Sequence, residues 1–223
     1  MAGSSSQPRV VLFDFDYTLG DSSVGIVESV TFALAQTGFS PSPRDRILDT
    51  IGLSLEAAFY QLTGCTDTAA AKAFVVGFHE RADDVMEAAT VLYPAVPSVL
   101  ETLRRHGMRT GVVTTKLRGR LARILTRNGV RSAFDVLVGA EDVSRSKPDP
   151  SGILLALTSL STPPRAAVYV GDHVIDAEAA WTAGVPFIGT LSGTSPRAAL
   201  ARRPHRAIID GVEDVPSVLG LEG

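Results

Sequence analysis

Residues 10–18 read Val-Val-Leu-Phe-Asp-Phe-Asp-Tyr-Thr, so four apolar residues run directly into two aspartates and a threonine. A short continuous apolar run bounded by polar residues is typical of a strand that is buried on both faces. Residues 110–113, 136–138 and 167–170 have the same form, and 185–188 and 207–209 are weaker candidates. These runs are strand-sized, and they predict the strands of one sheet.

Helical patterns separate these strands from residue 94 onward. Val96, Val99, Leu100 and Leu103 lie at helical spacing, and similar stripes occur within 117–125 and 153–157. Strands that alternate with helices indicate βαβ units and a parallel sheet. We therefore predict an α/β fold with a Rossmann-like, doubly wound parallel sheet.

Residues 22–89 interrupt this alternation. They carry helical stripes and an alanine-rich stretch but no strand-like run. We predict an all-helical module inserted after the first strand, with hinges near Gly20-Asp21 and Tyr93-Pro94. The predicted division is a core of residues 1–20 and 90–223 and a helical module of residues 21–89.

The composition excludes several classes of protein. The 223 residues carry a formal charge of −3, so no overall basic field exists to hold nucleic acid or an anionic membrane. Cys65 is the only cysteine, which rules out a disulfide framework. The chain begins without a charged-then-apolar signal, and no apolar run approaches the roughly 18 residues of a membrane span. We expect a soluble cytoplasmic protein with neither nucleic acid nor membrane as a partner.

Polar residues that suit phosphoryl chemistry follow four of the predicted strands. They are Asp14 and Asp16 after the first, Thr114 and Thr115 after the second, Lys147 beyond the third, and Asp172 and Asp176 after the fourth. Ligands of an open parallel sheet bind outside the carboxyl ends of its strands, so we expect one shared site. Clustered carboxylates need a counter-cation, and hard oxygen ligands suit Mg²⁺. A metal ion beside a lysine forms a receptor for a phosphoryl group, and a nearby carboxylate can attack phosphorus.

Four stretches resemble, in order, the motifs of the haloacid-dehalogenase-like hydrolases. They are residues 14–22 (Asp-Phe-Asp-Tyr-Thr-Leu-Gly-Asp-Ser), 112–116 (Val-Val-Thr-Thr-Lys), 146–150 (Ser-Lys-Pro-Asp-Pro) and 170–176 (Val-Gly-Asp-His-Val-Ile-Asp). The resemblance extends over about residues 9–192. It implies that the helical module is a cap of the C1 type, as in phosphoglycolate-phosphatase-like members.

The same resemblance implies roles for the catalytic residues. Asp14 would be the nucleophile and Asp16 the general acid and base. Thr114 would donate a hydrogen bond to a phosphoryl oxygen, with Thr115 as an alternative occupant of that role. Lys147 would neutralise the phosphate and the nucleophile.

The resemblance also implies a metal site. Asp14, the backbone carbonyl of Asp16 and Asp172 would hold Mg²⁺. Asp176 would not bind the metal directly and would form a hydrogen bond with either a metal-bound water or Lys147.

Some positions depart from the family pattern or have open interpretations. Tyr17 stands where the family most often has glycine, and its ring would narrow the mouth of the site. We interpret His173 as a loop residue at the rim of the site rather than a contact to the leaving group. Lys116 is one of only three lysines, and we interpret it as a surface residue rather than a phosphate contact. Arg44, Arg46, His79 and Arg81 are possible substrate contacts in the cap, although a solvated helix face is the favoured interpretation of each.

The predicted function is a Mg²⁺-dependent phosphatase that hydrolyses a small phosphorylated metabolite through an aspartyl-phosphate. A sugar phosphomutase of the same fold is the nearest alternative, and a receiver-like phospho-acceptor module is an alternative of a different class. Asp16 argues against a haloacid dehalogenase, and the absence of lysine from residues 21–71 argues against a phosphonate-cleaving enzyme. The substrate and the oligomeric state are left open.

Overall fold

A parallel sheet forms the centre of the computed structural model, which describes residues 8–221. The strands in this range are β1 (Val10–Phe13), β2 (Gly20–Asp21), β3 (Val91–Leu92), β4 (Arg109–Val113), β5 (Val136–Val138), β6 (Ala167–Gly171), β7 (Phe187–Thr190) and β8 (Ala207–Ile209). The α-helices in this range are α1 (Ser23–Gln36), α2 (Arg44–Leu48), α3 (Leu55–Thr63), α4 (Thr68–Ala89), α5 (Val96–Arg105), α6 (Arg118–Arg127), α7 (Ser151–Ser159), α8 (Val174–Ala183), α9 (Arg197–Leu200) and α10 (Val215–Val218).

The order of the strands is that of a doubly wound sheet. Within residues 8–221, the main sheet has the parallel order β5-β4-β1-β6-β7-β8. The chain first builds outward from β1 to β5 and then returns to the other side of β1 to begin β6. This reversal opens a crevice at the carboxyl ends of β1, β4 and β6, where ligands of such sheets bind. The predicted fold class is confirmed.

Apolar clusters cover both faces of the sheet. Val11 and Phe13 of β1 belong to a core that also includes α5 and α6 residues. Val10 and Leu12 point to the opposite core, which includes residues of α7 and α8. Because neighbouring residues of a strand face opposite sides, the unbroken apolar run of β1 serves both cores.

The inserted segment contains α1 to α4 and no strand among residues 23–89, as the sequence predicts. Its interior is rich in aromatic contacts, with Phe59 packed edge-on against Phe39 and tilted against Phe74. The antiparallel pair β2–β3 joins the two ends of this segment. The sequence analysis did not predict these strands, because two residues are too few to show a strand period. The exact division into core and cap residues stays a prediction.

Strand β7 begins two residues later than predicted, at Phe187 instead of residue 185. Pro186 has no N–H to donate to the ladder, although its carbonyl accepts a hydrogen bond from the backbone N of Tyr169 at 2.9 Å.

In the part of the chain that the structure describes, no helix combines the length and hydrophobicity that crossing a bilayer requires.

Candidate active site

Asp14 stands at the carboxyl end of the central strand. Its backbone N donates to the carbonyl of Val170 at 2.8 Å, which continues the pairing of β1 with β6. The chain then turns sharply, because the carbonyl of Phe15 accepts from the backbone N of Leu19 at 2.9 Å. Tyr17 takes part in this turn with a φ of 59°, in the left-handed region. That conformation costs a residue with a side chain about 1 kcal/mol or more, which explains why a glycine suits this position.

Three buried carboxylates meet beside this turn. Asp14, Asp172 and Asp176 each offer an oxygen, and these oxygens lie within 4.8 Å of one another. Burial, together with the neighbouring carboxylates, raises the pKa of Asp14 from its ordinary 3.8 to about 7. Burial and the charges of Asp176 and Asp14 likewise raise the pKa of Asp172 well above its ordinary value. A hard divalent cation would relieve this repulsion, so the donor set fits Mg²⁺.

Lys147 supplies the positive charge of this cluster. Its Nζ lies 2.8 Å from Oδ1 of Asp14 and 2.6 Å from Oδ1 of Asp176. It also donates to the hydroxyl of Tyr169 at 3.3 Å. Burial alone lowers the pKa of Lys147, but the two carboxylates outweigh it and raise that pKa well above its ordinary value. The ammonium therefore stays charged at neutral pH.

Asp176 already uses both of its carboxylate oxygens. Oδ1 accepts from Lys147, and Oδ2 accepts from the backbone N of His173 at 3.0 Å. Its close approach to β6 requires the glycine at position 171, because a Cβ there would lie 2.6 Å from the Asp176 carboxyl carbon. Both oxygens of Asp176 are therefore occupied by hydrogen bonds from Lys147 and from the start of α8. Asp14 and Asp172 are the carboxylates that are more available to bind a cation.

Asp16 lies apart from this cluster and has a lysine of its own. Its Oδ2 is 3.2 Å from Nζ of Lys116, whose side chain is only 4% exposed. Its other oxygen, Oδ1, is buried and has no hydrogen-bond partner among residues 8–221. The interpretation of Lys116 as a surface lysine is wrong, because a buried carboxylate provides the counter-charge that its burial needs.

A small cavity of about 50 Å³ adjoins Asp16 and Lys116. Apolar residues of the inserted helices form much of its wall, among them Ile26, Val30, Phe78 and Met86. His79 and Arg120 add polar groups, and Nδ1 of His79 is buried without a partner in the described part of the chain. The segment of residues 52–55 also lines the cavity through Gly52, Leu53 and Leu55.

Two other spaces reach Lys147. An open cleft of about 580 Å³ runs between α3 and the loop of residues 143–148, with Lys147 and Thr115 in its lining. A much smaller space of about 10 Å³ is lined by Thr114, Thr115 and Lys147. The side chain of Thr114 also accepts a hydrogen bond from the backbone N of Lys116 at 3.2 Å.

Comparison with known proteins identifies the family. A family model described as "Haloacid dehalogenase-like hydrolase" matches residues 11–190. The chain belongs to the haloacid dehalogenase-like hydrolases. It is thus an enzyme, and the resemblance drawn from its motifs is confirmed.

The similarity of this hydrolase to its relatives extends over nearly its whole length. It is 31% identical over 227 residues to the plasmid phosphoglycolate phosphatase of Cupriavidus necator, covering 98% of this chain and 96% of the relative. It is 29% identical to the phosphoglycolate phosphatase of Salmonella typhimurium, covering 96% and 93% of the two chains. A haloacid dehalogenase-like hydrolase from Bacteroides fragilis has a similar structure, with a TM-score of 0.90, 38% identity, and coverage of 93% of this chain and 99% of that one.

The structure brings together most of the site residues predicted for this hydrolase. Asp14, Asp172, Asp176 and Lys147 form one contact network, and Thr114 and Thr115 line a space next to it. Asp16 points instead toward Lys116. The catalytic and metal-binding roles of these residues stay predictions.

The candidate cap residues divide into two groups. Arg46 donates to the carbonyl of Gln61 at 3.1 Å, Arg81 pairs with Glu28, and Arg44 is exposed. Only His79 of this set lines the cavity beside Asp16 in the described structure. We therefore retain His79 as a possible substrate contact.

His173 has a structural role that the sequence did not predict. Its Nδ1 accepts from the backbone N of Ile175 at 3.3 Å and so caps α8. Its ring faces Gly52 of the inserted segment, because a Cβ at Gly52 would lie 3.7 Å from it.

Sequence reasoning assigned no role to three residues that shape the site, Thr18, Tyr169 and Gly193, and it misinterpreted Lys116. Thr18 donates to Asp172, Tyr169 accepts from Lys147, and Gly193 packs against Asp172. A signal was present for Tyr169, whose hydroxyl stands out in an otherwise apolar buried strand. A buried tyrosine hydroxyl usually has a partner.

Proposed function

We propose that this hydrolase is a Mg²⁺-dependent phosphatase that acts on a small phosphorylated metabolite through an aspartyl-phosphate on Asp14. The observation that carries the proposal is the position of Asp14. This carboxylate stands at the end of the central strand, in a group of three carboxylates, with Nζ of Lys147 2.8 Å away. A nucleophile beside a fixed cation is what phosphoryl transfer needs.

The metal ion would be held by the carboxylates of Asp14 and Asp172 and by the backbone carbonyl of Asp16. It would supply positive charge to the oxygens of the transferring phosphoryl group. The raised pKa values of Asp14 and Asp172 support this assignment, since burial and, after it, the neighbouring carboxylates make the ionised forms unfavourable without a cation.

In the first half-reaction, a carboxylate oxygen of Asp14 forms a bond to phosphorus. The bond from phosphorus to the leaving oxygen breaks, and that oxygen keeps the electron pair and takes a proton from Asp16. Lys147 neutralises charge on the phosphoryl oxygens, and the Thr114 hydroxyl donates to one of them.

In the second half-reaction, Asp16 takes a proton from water while the water oxygen attacks phosphorus. The bond from phosphorus to Asp14 breaks, which regenerates the carboxylate and releases inorganic phosphate. Asp16 is then protonated again and ready for the next substrate.

A small substrate is supported by the space beside Asp16. The cavity of about 50 Å³ has room for a small leaving group next to the Asp16 carboxylate. The similarity to phosphoglycolate phosphatases points the same way, since those relatives are named for a two-carbon phosphate ester. We propose a cytoplasmic location as well, which a chain with the single cysteine Cys65 suits.

Hydrolysis of phosphate monoesters, phosphoglycolate among them, tests the proposal. We expect EDTA to abolish turnover and Mg²⁺ to restore it. Asp14→Asn should fold normally and lose turnover by at least about 10³-fold, because an amide cannot attack phosphorus. Beryllofluoride should form an adduct at Asp14 of the wild-type protein.

Two results would refute the assignment: full activity in metal-free buffer, or an adduct on another side chain. A phosphomutase is distinguished in the same samples by ³¹P NMR. Transfer of phosphate between positions of a sugar phosphate, without release of inorganic phosphate, would favour that alternative.

A further inference from the structure

We propose that Lys116 is a positioning residue that holds the Asp16 carboxylate by Oδ2 and leaves Oδ1 free to serve the leaving group. The inference rests on the proposed function, in which Asp16 is the acid and base. It concerns a residue that does not itself exchange a proton with the substrate.

The two lysines near the site are divided between the two catalytic aspartates. Lys147 pairs with Asp14 and Asp176, whereas the carboxylate paired with Lys116 is that of Asp16. The contact between Lys116 and Asp16 is buried, with side-chain exposures of 4% and 10%. At such burial an ion pair holds its geometry, because water does not compete for either partner.

Lys116 is itself held in place along its length. Its backbone N donates to Oγ1 of Thr114 at 3.2 Å, and its carbonyl accepts from the backbone N of Ala140 at 3.1 Å. Its Nζ lies 5.7 Å from the centre of the Phe15 ring, a favourable distance for a cation and an aromatic face. The ammonium therefore approaches Asp16 from a rigid loop and not from a free side chain.

The free oxygen of Asp16 is where a leaving group would need it. Oδ1 is buried and has no partner in the described residues, and Asp16 and Lys116 both line the cavity of about 50 Å³. A carboxylate without a fixed neighbour could rotate and present either oxygen in many directions. With Oδ2 tied to Lys116, the rotation is restricted and Oδ1 is preorganised for proton transfer.

This arrangement makes a specific prediction about substrates. Help from an acid matters most when the leaving group departs poorly. Loss of Lys116 should therefore slow a substrate with a basic leaving group far more than one with an acidic leaving group. A purely structural lysine, or one that binds the substrate away from the leaving oxygen, would not produce this dependence.

The experiment compares Lys116→Met with Lys72→Met on phenyl phosphate and p-nitrophenyl phosphate. These two esters are similar in shape, but phenol is the poorer leaving group. Lys72 is an exposed lysine of α4 and serves as the matched control. For Lys116→Met we expect kcat to fall about 10²-fold with phenyl phosphate and less than about tenfold with p-nitrophenyl phosphate, with similar KM values. Lys72→Met should leave both rates within about twofold.

Lys116→Arg is the second variant, because it keeps a cation in the buried pair where Lys116→Met could fail to fold. It should recover much of the phenyl phosphate rate. Equal losses on the two esters, or a rise in KM alone, would overturn the positioning role while leaving the phosphatase function intact. A wild-type protein that hydrolyses no phosphate monoester in the presence of Mg²⁺, phosphoglycolate and these two esters included, would overturn the proposed function, and this inference with it.

Discussion

The hydroxyl of Thr18 donates a hydrogen bond to Oδ1 of Asp172 over 3.1 Å. Thr18 lies in the turn after β1, and Asp172 follows β6, so the bond ties together the ends of two neighbouring strands. The other oxygen of Asp172 is packed against the loop that follows β7, where Gly193 leaves no room for a side chain. The orientation of this carboxylate is thus set from both sides before a cation arrives.

Gly193→Ala should weaken Mg²⁺ binding. A Cβ at position 193 would lie 1.8 Å from Oδ2 of Asp172, so the carboxylate must move. We expect the affinity for Mg²⁺, measured by isothermal titration calorimetry, to fall by about 10–100-fold. Gly119→Ala in α6 is the control, since a Cβ there meets nothing within 4 Å. Equal Mg²⁺ affinities in the two variants would contradict the prediction.

The stabilisation by Mg²⁺ should grow with pH. The pKa of Asp14 is raised to about 7 in the folded protein, so its protonated form stabilises the fold at low pH. This contribution is complete below the ordinary value of 3.8 and is lost as the pH rises toward 7. In metal-free buffer we expect Tm to fall over this range relative to Asp14→Asn.

A cation binds the ionised carboxylates and reverses that loss. The rise in Tm with saturating Mg²⁺, followed by differential scanning fluorimetry, should be larger at about pH 8 than at about pH 5. The same rise at both pH values would count against a metal site that includes Asp14.

Asp16→Asn should separate the acid role of Asp16 from metal binding. The metal site should persist, because the residue is proposed to contribute its backbone carbonyl. With an alkyl phosphate, the variant should fail at the first step, since an alkoxide leaves poorly without a proton. With p-nitrophenyl phosphate, it should release a burst of about one equivalent of p-nitrophenol, measured by stopped-flow absorbance. Equal slowing of both substrates without a burst would assign Asp16 a structural role.

Asp83→Ala should destabilise the contact between α4 and α6. The guanidinium of Arg120, only 2% exposed, donates to Asp83 at 2.9 Å and to the carbonyl of His79 at 3.3 Å. Removal of the carboxylate leaves a buried cation without its counter-charge, and we expect a loss of about 1–2 kcal/mol in the free energy of unfolding. The neighbouring Asp84 is 70% exposed, and Asp84→Ala should change stability by less than about 0.5 kcal/mol. Urea denaturation measures both, and equal effects would show that the pair of Arg120 with Asp83 contributes nothing.

Much of the fold could be predicted from local patterns. The apolar runs at residues 10–13 and 167–170 correspond to β1 and β6, and the helical stripes between strands correspond to α5, α6 and α7. The inserted helices were predicted from the absence of any strand-like run. The two-stranded ribbon β2–β3 was not predicted. Strands of two residues form only when a segment that is distant in the sequence lies alongside them.

The sequence by itself determined which chemistry-bearing residues follow the strands, since parallel strands must bring Asp14, Lys147 and Asp172 to one edge. Only the tertiary structure decided which partner each of them has. Lys116 looks like a surface lysine along the chain, yet it is buried against Asp16. The physical reason is that burial of a charge depends on the counter-charge it meets in space. That neighbour is 100 positions away along the chain and is set by the order of the strands.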